Sequence, residues 1–330
     1  MRLVYFGSGA FGLPTLQALS RTHQIVGVVT QPDKPAGRGG KLTPTPIAQW
    51  AAANLPDMPI LKPAKVNEPA MIDAIRALPA DAWVVIAFGQ KLSRALLEGR
   101  FAINLHASLL PRWRGAAPIN AAILGGDHAT GNTVITLADR MDAGQILNAS
   151  SPPRPIDPLM TAGELHDVLA ADGPAMVEKV LADFAADTLN PARQDESAVT
   201  IATKLSKSDD NMDFNQRADF VRRQIHALTP WPGITCAIVP PASPGEAAPS
   251  TKPIQIKVLR VQPVTGIHHQ DPGTLLDIGQ GIVACAHETQ LRILEVQPPG
   301  RTPMKWEDFL RGAGRAIVPN SRLIPAREVA

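Results

Sequence analysis

The sequence of 330 residues predicts an α/β protein in which a doubly wound, mostly parallel sheet is followed by a small C-terminal β-barrel. In the first 150 residues, short apolar runs alternate with helical patterns, which is typical of βαβ units. Beyond residue 215, strand-like runs follow one another with only turns between them, which favours an antiparallel barrel. Because the chain exceeds the usual size of one domain, two domains are expected.

The N-terminal pattern predicts its elements in order. The predicted strands are RLVYFG, IVGVVT, AWVVIAF, FAINLHA and NTVITLA, and the predicted helices are GLPTLQALS, AMIDAIRAL, LSRALLEG and APINAAILGG. Thr161 is expected to cap a further helix over residues 162–187, which Gly173 and Pro174 should interrupt. A polar stretch, residues 190–215, is interpreted as a linker.

The C-terminal pattern begins with one helix and continues in short strands. The helix is QRADFVRRQIHAL, and the strands are ITCAIV, IQIKVLRV, GTLLDI, GIVACA and QLRILEVQ. A Pro/Ala/Ser-rich segment at 240–253 is interpreted as a hairpin insertion without chemistry. The predicted domains are therefore 1–189 for catalysis, 190–215 as linker and 216–330 as barrel.

Composition excludes several classes of protein. A hydrophobic content of 45% and a net charge of +2 indicate a globular chain, and the charge is too small to indicate a nucleic-acid partner. No apolar run approaches the roughly 20 residues of a membrane helix, so a cytoplasmic protein without a membrane partner is expected, with a monomer as the default. Cys236 and Cys285 lack ligand spacing, which favours buried thiols and no metal.

The N-terminal segment GSGAFG places Gly7, Gly9 and Gly12 between a predicted strand and a predicted helix. This spacing matches the dinucleotide fingerprint and would favour a nicotinamide dehydrogenase. The fingerprint also needs an acidic residue closing the second strand, to hold a ribose hydroxyl. Here that strand ends in Thr30 and Gln31, so a tight turn that needs glycine is the better interpretation.

A long loop, residues 31–46, follows the second predicted strand and carries Lys34, Arg38 and Lys41. Ligands of parallel α/β sheets bind at the carboxyl edge, where this loop is expected. Three cations there would suit a phosphate backbone. The plain alternative is an exposed, flexible connection.

The segment NLHASLLPRWRGAAP places an amide and an imidazole at the end of a predicted strand. Asn104 and His106 share one face of that strand because side chains alternate, so both can be aimed at a single atom. An amide can donate to an oxyanion, and an imidazole can move protons near neutrality. Either residue alone would more often be structural, but the shared face and the SLLP loop after it favour a reacting site.

Asp142 is predicted to lie in a turn of the segment ADRMDAGQIL. An Asp two residues before a Gly is most often turn chemistry. The functional alternative is a carboxylate that orients His106 and stabilises its charged form. The residues alone leave these two interpretations close to even.

These segments together resemble the formyltransferase family that uses 10-formyltetrahydrofolate. The matching segments are VVTQPDKPAGRGGKLTPTPI, NLHASLLPRWRGAAPINAAILGGD, TGNTVITLADRMDAGQIL, GELHDVLAADGP, TKLSKSDDNMDF and PWPG. The resemblance implies a Rossmann-like catalytic domain and an OB-like barrel that helps hold tRNA. It also implies formyl transfer from 10-formyltetrahydrofolate to the α-amine of methionyl initiator tRNA, without a metal.

The resemblance assigns roles to three groups of residues. Its catalytic residues fall on Asn104, His106 and Asp142. Its folate contacts fall on Ser108, Leu109, Leu110 and Pro111, with the strand end at Phe88 and Gly89 beside them. Its tRNA contacts fall on Lys34, Arg38 and Lys41, of which Arg38 is the best candidate. The roles of Arg112 and Arg114 stay open between anchoring the loop and facing the tRNA.

Several other functions are compatible with part of the pattern. The same chemistry could act on a sugar-nucleotide amine or on glycinamide ribonucleotide, although the basic loop argues against both. A formyltetrahydrofolate hydrolase would replace the amine by water, and the C-terminal barrel argues against it. A non-catalytic RNA-binding protein would use the loop and the barrel without the three catalytic residues.

Overall fold

The computed structural model describes residues 1–36, 39–210, 212–241 and 253–328. These residues form two compact units. The first unit comprises Met1–Pro118, Ala129–Pro155 and His166–Ala202, and the second comprises Ile119–His128, Ile156–Leu165 and Thr203–Ala330. The expected domain boundaries at 189, 190–215 and 216 remain a prediction. None of the helices among the described residues is both long and apolar enough to cross a membrane.

The strands of residues 1–202 are short and separated by helices and loops. They are β1 (Arg2–Gly7), β2 (Gln24–Val29), β3 (Lys34–Ala36), β4 (Lys41–Thr43), β5 (Ile60–Leu61), β6 (Ala82–Ile86), β7 (Ala102–His106), β8 (Arg114–Gly115), β9 (Ala129–Thr130), β10 (Thr133–Thr136), β11 (Ile146–Ala149), β12 (Arg154–Pro155) and β13 (Ile201–Ala202). The helices are α1 (Leu13–Thr22), α2 (Pro46–Asn54), α3 (Pro69–Arg76), α4 (Arg94–Leu97), α5 (Pro118–Gly125) and α6 (Ala162–Ala185).

The main sheet of the first unit has the strand order β11-β10-β7-β6-β1-β2-β5. The pairs from β5 to β7 are parallel, and β10 and β11 add to the β7 edge antiparallel. From β1 the chain adds β2 and β5 on one side and then returns to add β6 and β7 on the other. This confirms the predicted doubly wound, mostly parallel sheet. Such folds bind ligands at the carboxyl ends of the central strands, where the strand order reverses.

The glycines of the first turn serve packing around one tyrosine. The Tyr5 hydroxyl donates to the Gly12 carbonyl oxygen at 2.7 Å, and a Cβ atom at Gly12 would lie only 2.3 Å from that hydroxyl oxygen. A Cβ atom at Gly7 would lie 2.6 Å from the Tyr5 ring. The GSGAFG spelling therefore fits a tight strand-to-helix turn, and burial raises the Tyr5 pKa well above its usual value.

The structure differs from the sequence prediction at α6, which continues through Gly173 and Pro174 without a break. A Cβ atom at Gly173 would lie 2.7 Å from both Leu105 Cδ2 and Thr15 Oγ1, so this glycine is required by packing against neighbouring side chains. Tertiary contact therefore outweighs the local breaker signal. Thr161 does cap the helix start, since its Oγ1 accepts from the Glu164 N–H at 3.4 Å.

Several short elements of the first unit were not predicted, among them one helix, one edge strand and a hairpin in the basic loop. The helix α2 begins directly after the basic loop, where the Thr45 Oγ1 accepts from the Ala48 N–H at 3.1 Å and Pro46 stands in the first turn. The strand β5 is a two-residue edge strand beside β2. The loop itself contains a short antiparallel hairpin, in which Lys34 pairs with Thr43 and Ala36 with Lys41.

The second unit contains an antiparallel sheet that closes on itself. Its strands are β14 (Ile234–Val239), β15 (Ile254–Val264), β16 (Leu275–Asp277), β17 (Ile282–Ala284), β18 (Gln290–Gln297), β19 (Met304–Lys305) and β20 (Arg322–Pro325), and its helices are α7 (Ala218–Leu228) and α8 (Trp306–Arg311). The sheet order is β16-β17-β18-β15-β14-β20, with β19 also beside β18. A bridge between Thr274 and Arg322 joins the two ends, which confirms the predicted small barrel.

The barrel encloses its own apolar core. Side chains from its strands meet the buried face of α7 and the two aromatic rings of α8, Trp306 and Phe309. Cys236 and Cys285 are buried free thiols, and burial raises the pKa of each to about 12. Of the Pro/Ala/Ser-rich insertion at 240–253, residues 242–252 lie outside the described residues.

Candidate active site

The strand β7 places Asn104 and His106 at the carboxyl edge of the main sheet. Asn104 pairs with Val85 of β6 and with Ile135 of β10, while His106 pairs with Thr133. Because the two residues are two positions apart in a strand, their side chains leave the same face. The shared face that the sequence predicts is therefore present, in a strand with neighbours on both sides.

His106 is almost fully buried, with 6% of its surface exposed. Its Nε2 lies 2.8 Å from the main-chain carbonyl oxygen of Trp113. Since a carbonyl oxygen can only accept, Nε2 carries a proton and donates in this arrangement. Trp113 has a φ of +62°, so the loop that follows the SLLP segment is turned into the left-handed region where it delivers this carbonyl.

Asp142 approaches the other ring nitrogen. Its Oδ2 lies 3.6 Å from His106 Nδ1 and accepts the main-chain N–H of Gly115 at 2.9 Å. Asp142 lies in the turn between β10 and β11 with a φ of +52°, a conformation that Asp tolerates better than most residues. The structure thus brings together the carboxylate and the imidazole that the sequence could only propose as a pair.

Asn104 differs from its neighbours in having an open side chain. It is half-buried, and within the described part of the chain its side-chain amide has no hydrogen-bond partner. A half-buried amide with both N–H groups available can donate to an oxygen that develops negative charge. Asn104 therefore offers a half-buried amide donor at this strand end.

The SLLP loop is held by one threonine that the sequence reasoning missed. The Thr133 hydroxyl donates to the Ser108 carbonyl oxygen at 2.7 Å and accepts from the Leu110 N–H at 3.0 Å. The Ser108 hydroxyl in turn donates to the Arg112 carbonyl oxygen at 2.6 Å, and the Leu110–Pro111 peptide is cis. The loop is a fixed surface in which Leu109 and Pro111 stay half-buried, and folate contact by its residues remains a prediction.

The strand end at Phe88 and Gly89 is partly occupied by protein groups. The Phe88 carbonyl oxygen accepts from the Ser8 hydroxyl at 3.0 Å and from Gln31 Nε2 at 3.2 Å, and its ring packs edge-on against Phe6. Gly89 is exposed and has a φ of +85°. Gly89 therefore offers exposed backbone, whereas Phe88 contributes mainly to the core, and folate binding by both stays a prediction.

The basic loop presents two of its three predicted cations on the hairpin. Lys34 begins β3 and Lys41 begins β4, and both are exposed. Arg38, the third, lies outside the described residues. The neighbouring Asp33 forms an ion pair with Lys62, in which Lys62 Nζ lies 2.6 Å from Asp33 Oδ1. The tRNA role of Lys34, Arg38 and Lys41 remains a prediction.

The two arginines of the central segment have different surroundings. The guanidinium of Arg112 lies over the Trp113 ring, 4.3 Å from its centre. Arg114 is buried, with a side chain 3% exposed, and its Nη2 lies 2.8 Å from Glu196 Oε1. Hydrogen bonding to Arg114 lowers the pKa of Glu196. Arg114 therefore anchors the loop from within the first unit.

Gly115 is a second residue that the sequence reasoning missed. Its φ is +127°, and a Cβ atom there would lie 2.2 Å from the Ala202 carbonyl oxygen. Its N–H reaches the Asp142 carboxylate from this cramped position. The sequence contained one signal for this role, a glycine at the end of the SLLPRWRG run. Its partners Asp142 and Ala202 lie 27 and 87 residues away in the chain, so the run alone does not reveal them.

The described residues contain no group of three or more His, Cys, Asp or Glu side chains placed to hold a metal ion. The carboxyl edge carries the amide of Asn104, the imidazole of His106 and the carboxylate of Asp142. One ring nitrogen of His106 faces the Trp113 carbonyl oxygen and the other faces Asp142. Such a set can donate to an oxyanion and can relay a proton.

Two family models match the chain. Residues 1–181 match the model described as formyl transferase, and residues 204–314 match the model described as formyl transferase, C-terminal domain. Together they cover both the sheet that carries the candidate site and most of the barrel.

Curated relatives match the chain over nearly its whole length. A methionyl-tRNA formyltransferase of Nitrobacter hamburgensis is 38% identical over 317 residues, covering 94% of this chain and 96% of the relative. The methionyl-tRNA formyltransferase of Methylococcus capsulatus is also 38% identical, with the same two coverages. That of Afipia carboxidovorans is 39% identical over 315 residues, again with 94% and 96% coverage.

Solved structures share the fold at low identity. An N-formyltransferase from Helicobacter canadensis, in complex with folinic acid and dTDP-3-aminofucose, has a TM-score of 0.64 at 13% identity and covers 90% of this chain and 98% of its own. HypX from Aquifex aeolicus, in complex with tetrahydrofolic acid, has a TM-score of 0.61 at 14% identity and covers 97% of this chain and 48% of its own. The solved structures share the fold of this chain. The family models and the relatives at 38% identity show that this chain belongs to the formyl transferase family.

Proposed function

We propose that this protein transfers a formyl group from 10-formyltetrahydrofolate to the α-amine of methionyl initiator tRNA. The observation that carries the proposal is the meeting of His106 and Asp142 beside the open amide of Asn104, in a chain 38% identical to methionyl-tRNA formyltransferases across both units. Transfer of a formyl group requires that an oxyanion be stabilised and that a proton be moved, and these three side chains can do both.

The reaction exchanges one C–N bond for another. The neutral α-amine attacks the formyl carbon, the carbonyl oxygen becomes an oxyanion, and the bond from that carbon to N10 of the folate then breaks. The amine loses one proton and N10 gains one, so no net proton is released. The amine is itself the nucleophile, so no side chain needs to form a covalent intermediate.

Asn104 acts as an oxyanion donor in this scheme. Its amide has no protein partner to give up within the described part of the chain, so it can meet the formyl oxygen without breaking an existing bond. Preorganised donors of this kind stabilise the developing charge because they need no reorganisation as the reaction proceeds.

His106 acts as the second donor and as the proton carrier. Its Nε2 holds a proton for the Trp113 carbonyl, so substrate must replace that carbonyl before Nε2 can serve the reaction. Asp142 stabilises the charged imidazolium through Nδ1, from a position fixed by the Gly115 N–H. Nε2 gives its proton to N10 as the C–N bond breaks and takes one from the attacking amine, directly or through water, so His106 ends the reaction with the protonation with which it began.

The folate is placed on the apolar side of the site. The half-buried Leu109 and Pro111 offer a surface for its rings, and the exposed backbone at Gly89 offers hydrogen bonds. Ser108, Leu110 and Phe88 support this surface from behind, since each is buried. The exposed cations Lys34 and Lys41 bind phosphates of the tRNA acceptor end together with Arg38, which lies outside the described residues.

One assay tests the proposal against its rivals. The purified chain is mixed with 10-formyltetrahydrofolate and given, in separate reactions, methionyl initiator tRNA, methionyl elongator tRNA, glycinamide ribonucleotide, a dTDP-linked amino sugar or buffer. Formylation of the initiator tRNA alone is the expected result. Formylation of the sugar or of glycinamide ribonucleotide would replace the proposed acceptor, and release of formate in buffer would indicate a hydrolase.

A further inference from the structure

The turn that carries Asp142 is held by a side chain from a distant part of the sequence. The Gln194 amide nitrogen donates to the Asp142 carbonyl oxygen and to the Gly144 carbonyl oxygen, each at 2.7 Å. Both N–H groups of this amide are therefore used on the turn. Asp142 has a φ of +52°, a sparsely populated conformation that persists only when its surroundings hold it.

The turn is also confined where it approaches β10. Gly144 is buried, and a Cβ atom there would lie 1.6 Å from the Thr136 carbonyl oxygen, so this residue is pressed against β10. The Gln194 amide approaches the carbonyl oxygens of the same turn. Gly144 is thus held both by its close approach to Thr136 and by Gln194, and the place of the Asp142 carboxylate depends on the turn that these contacts fix.

Gln194 is itself fixed in one orientation. Its Oε1 accepts from Arg114 Nε at 2.9 Å, and an arginine can only donate while the two turn carbonyls can only accept. The amide therefore cannot be turned over without losing all three bonds. Arg114 is held by Glu196, whose Oε1 lies 2.8 Å from Nη2, and Glu196 also pairs with Arg140 at 2.9 Å.

These contacts connect two parts of the site that are separate in sequence. Arg114 and Gly115 are neighbours, and the Gly115 N–H donates to the Asp142 carboxylate at 2.9 Å, while Gln194 holds the Asp142 main chain. Asp142 Oδ2 then lies 3.6 Å from His106 Nδ1. Among the described residues, the hydrogen bonds of Gln194 go to Arg114, Asp142 and Gly144 and not to His106 or Asn104, so its shortest route to the imidazole is through Asp142.

We propose that Gln194 is a positioning residue for formyl transfer, in which its amide sets the place of the Asp142 carboxylate relative to His106 Nδ1. The inference rests on the proposed function, in which Asp142 stabilises the charged imidazole. It assigns a role in the chemical step to a residue of the stretch 190–215, which the sequence alone indicates only as a linker.

The test compares Gln194→Glu with the unsubstituted protein. A carboxylate has the shape of the amide but cannot donate to the two carbonyl oxygens. We expect kcat to fall by about 10- to 100-fold, because a shift of about 1 Å in a reacting group can cost that much, while KM for folate and for tRNA stays within about 2-fold. Gln194→Met removes the same donors without adding charge and should give the same result.

A double-mutant cycle separates positioning from a general structural role. In the Asp142→Asn background, Gln194→Glu should lower kcat by less than about 3-fold, because coupled residues are not additive. The matched control is Gln24→Glu, an exposed residue at the start of β2, away from the carboxyl edge, which should keep its kcat and KM. Thermal melting checks that each variant is folded.

The outcomes distinguish this inference from the proposed function. If Asp142→Asn slows transfer but folded Gln194→Glu and Gln194→Met keep kcat within about 2-fold, the inference is wrong and the proposed function stands. If the Gln194 loss recurs in full in the Asp142→Asn background, Gln194 does not act through Asp142. If the unsubstituted protein does not formylate methionyl initiator tRNA, the proposed function is wrong and the inference falls with it.

Discussion

The carboxylate of Asp142 lies 3.6 Å from Nδ1 of His106, while the opposite ring nitrogen donates to a main-chain carbonyl. Asp142→Asn should lower kcat for formyl transfer by about 100-fold or more, because the amide cannot stabilise the imidazolium by charge. The variant should stay folded, since an Asn oxygen can still accept from the Gly115 N–H. Steady-state kinetics at saturating substrates measure the effect.

The control for this variant is Asp139→Asn, an exposed carboxylate in the same turn region without a hydrogen bond or ion pair among the described residues. It should keep its kcat. A folded Asp142→Asn protein with near-native kcat would remove Asp142 from the mechanism.

Asn104→Ala should slow formyl transfer by roughly 100- to 1000-fold, or about 3 to 4 kcal/mol of transition-state stabilisation, the usual cost of one lost oxyanion donor. The melting temperature should change little, because this amide has no partner in the described part of the protein. Single-turnover kinetics with preformed complex isolate the chemical step. An unchanged rate would show that the oxyanion is stabilised elsewhere.

Thr133→Val should destabilise the SLLP loop and raise KM for 10-formyltetrahydrofolate. The substitution keeps the shape but leaves the Leu110 N–H and the Ser108 carbonyl oxygen without their partner, at about 1 to 3 kcal/mol for each buried group. Thermal melting and folate titration measure the two effects. Thr133→Ser retains the hydroxyl and should retain both properties; equal losses in the two variants would indicate that packing of the methyl group is responsible.

Replacing both Lys34 and Lys41 by Gln should raise KM for tRNA and leave kcat at saturating tRNA unchanged. Each lost phosphate contact should also reduce the slope of log affinity against log salt by roughly 0.7 to 0.9. Lys65→Gln is the control. The Lys65 side chain is 80% exposed and its Nζ lies 4.0 Å from Glu68 Oε1, so this substitution removes a lysine charge without breaking a close ion pair. If the double variant binds tRNA with the native salt dependence, the hairpin does not contact phosphate.

Acid should destabilise the second unit through His226. Its Nε2 accepts from the Val261 N–H at 3.1 Å and its Nδ1 donates to the Pro158 carbonyl oxygen at 3.2 Å, so the ring is neutral. Burial, with Arg222 nearby, lowers the pKa from 6.5 to about 4. Between pH 6.5 and 4, His226 is therefore protonated in the unfolded chain but neutral in the folded chain. Folding stability is lost as pH falls through this range.

The shift of the His226 pKa corresponds to about 3 kcal/mol of folding stability that is present above pH 6.5 and lost by about pH 4. His226→Gln can keep an acceptor and a donor without titrating, so its melting temperature should fall less between pH 6.5 and 4. Melting curves at several pH values measure the difference. Burial raises the pKa of Glu164, but hydrogen bonds from Arg260 and Thr161 together outweigh burial and lower that pKa to about 2. Glu164 therefore adds a separate loss of stability below pH 4.5 in both proteins. Parallel pH dependence in the two proteins would contradict the assignment to His226.

Local pattern was sufficient to predict what depends on neighbours in the chain. Strand alternation predicts the shared face of Asn104 and His106, and the run of short apolar segments predicts both the parallel sheet and the barrel. The helix α2 was not predicted, although Thr45 and Pro46 form a regular helix start that the local pattern could have revealed. These predictions depend on spacing alone, which a sequence contains in full.

The rest depends on contacts between distant residues. A buried arginine is uncommon, and Arg114 is buried only because Glu196 and Gln194, about eighty residues later, reach it. The helix α6 passes through Gly173 and Pro174 because Leu105 and Thr15 pack against that glycine. Neither the hydrogen bond from the Gly115 N–H to Asp142 nor the role of the Trp113 carbonyl oxygen as the acceptor for His106 Nε2 can be read from spacing.

The parallel pairing of β13 with β8 has a practical consequence for isolating the first unit. One family model ends at residue 181 and the other begins at residue 204, so the residues between them look dispensable. Yet Thr200 accepts the Trp113 N–H at 2.8 Å and Ala202 accepts the Ala116 N–H at 2.9 Å. A minimal catalytic fragment therefore ends after Ala202, and expression of residues 1–181 alone would remove the strand against which the loop beside His106 is aligned.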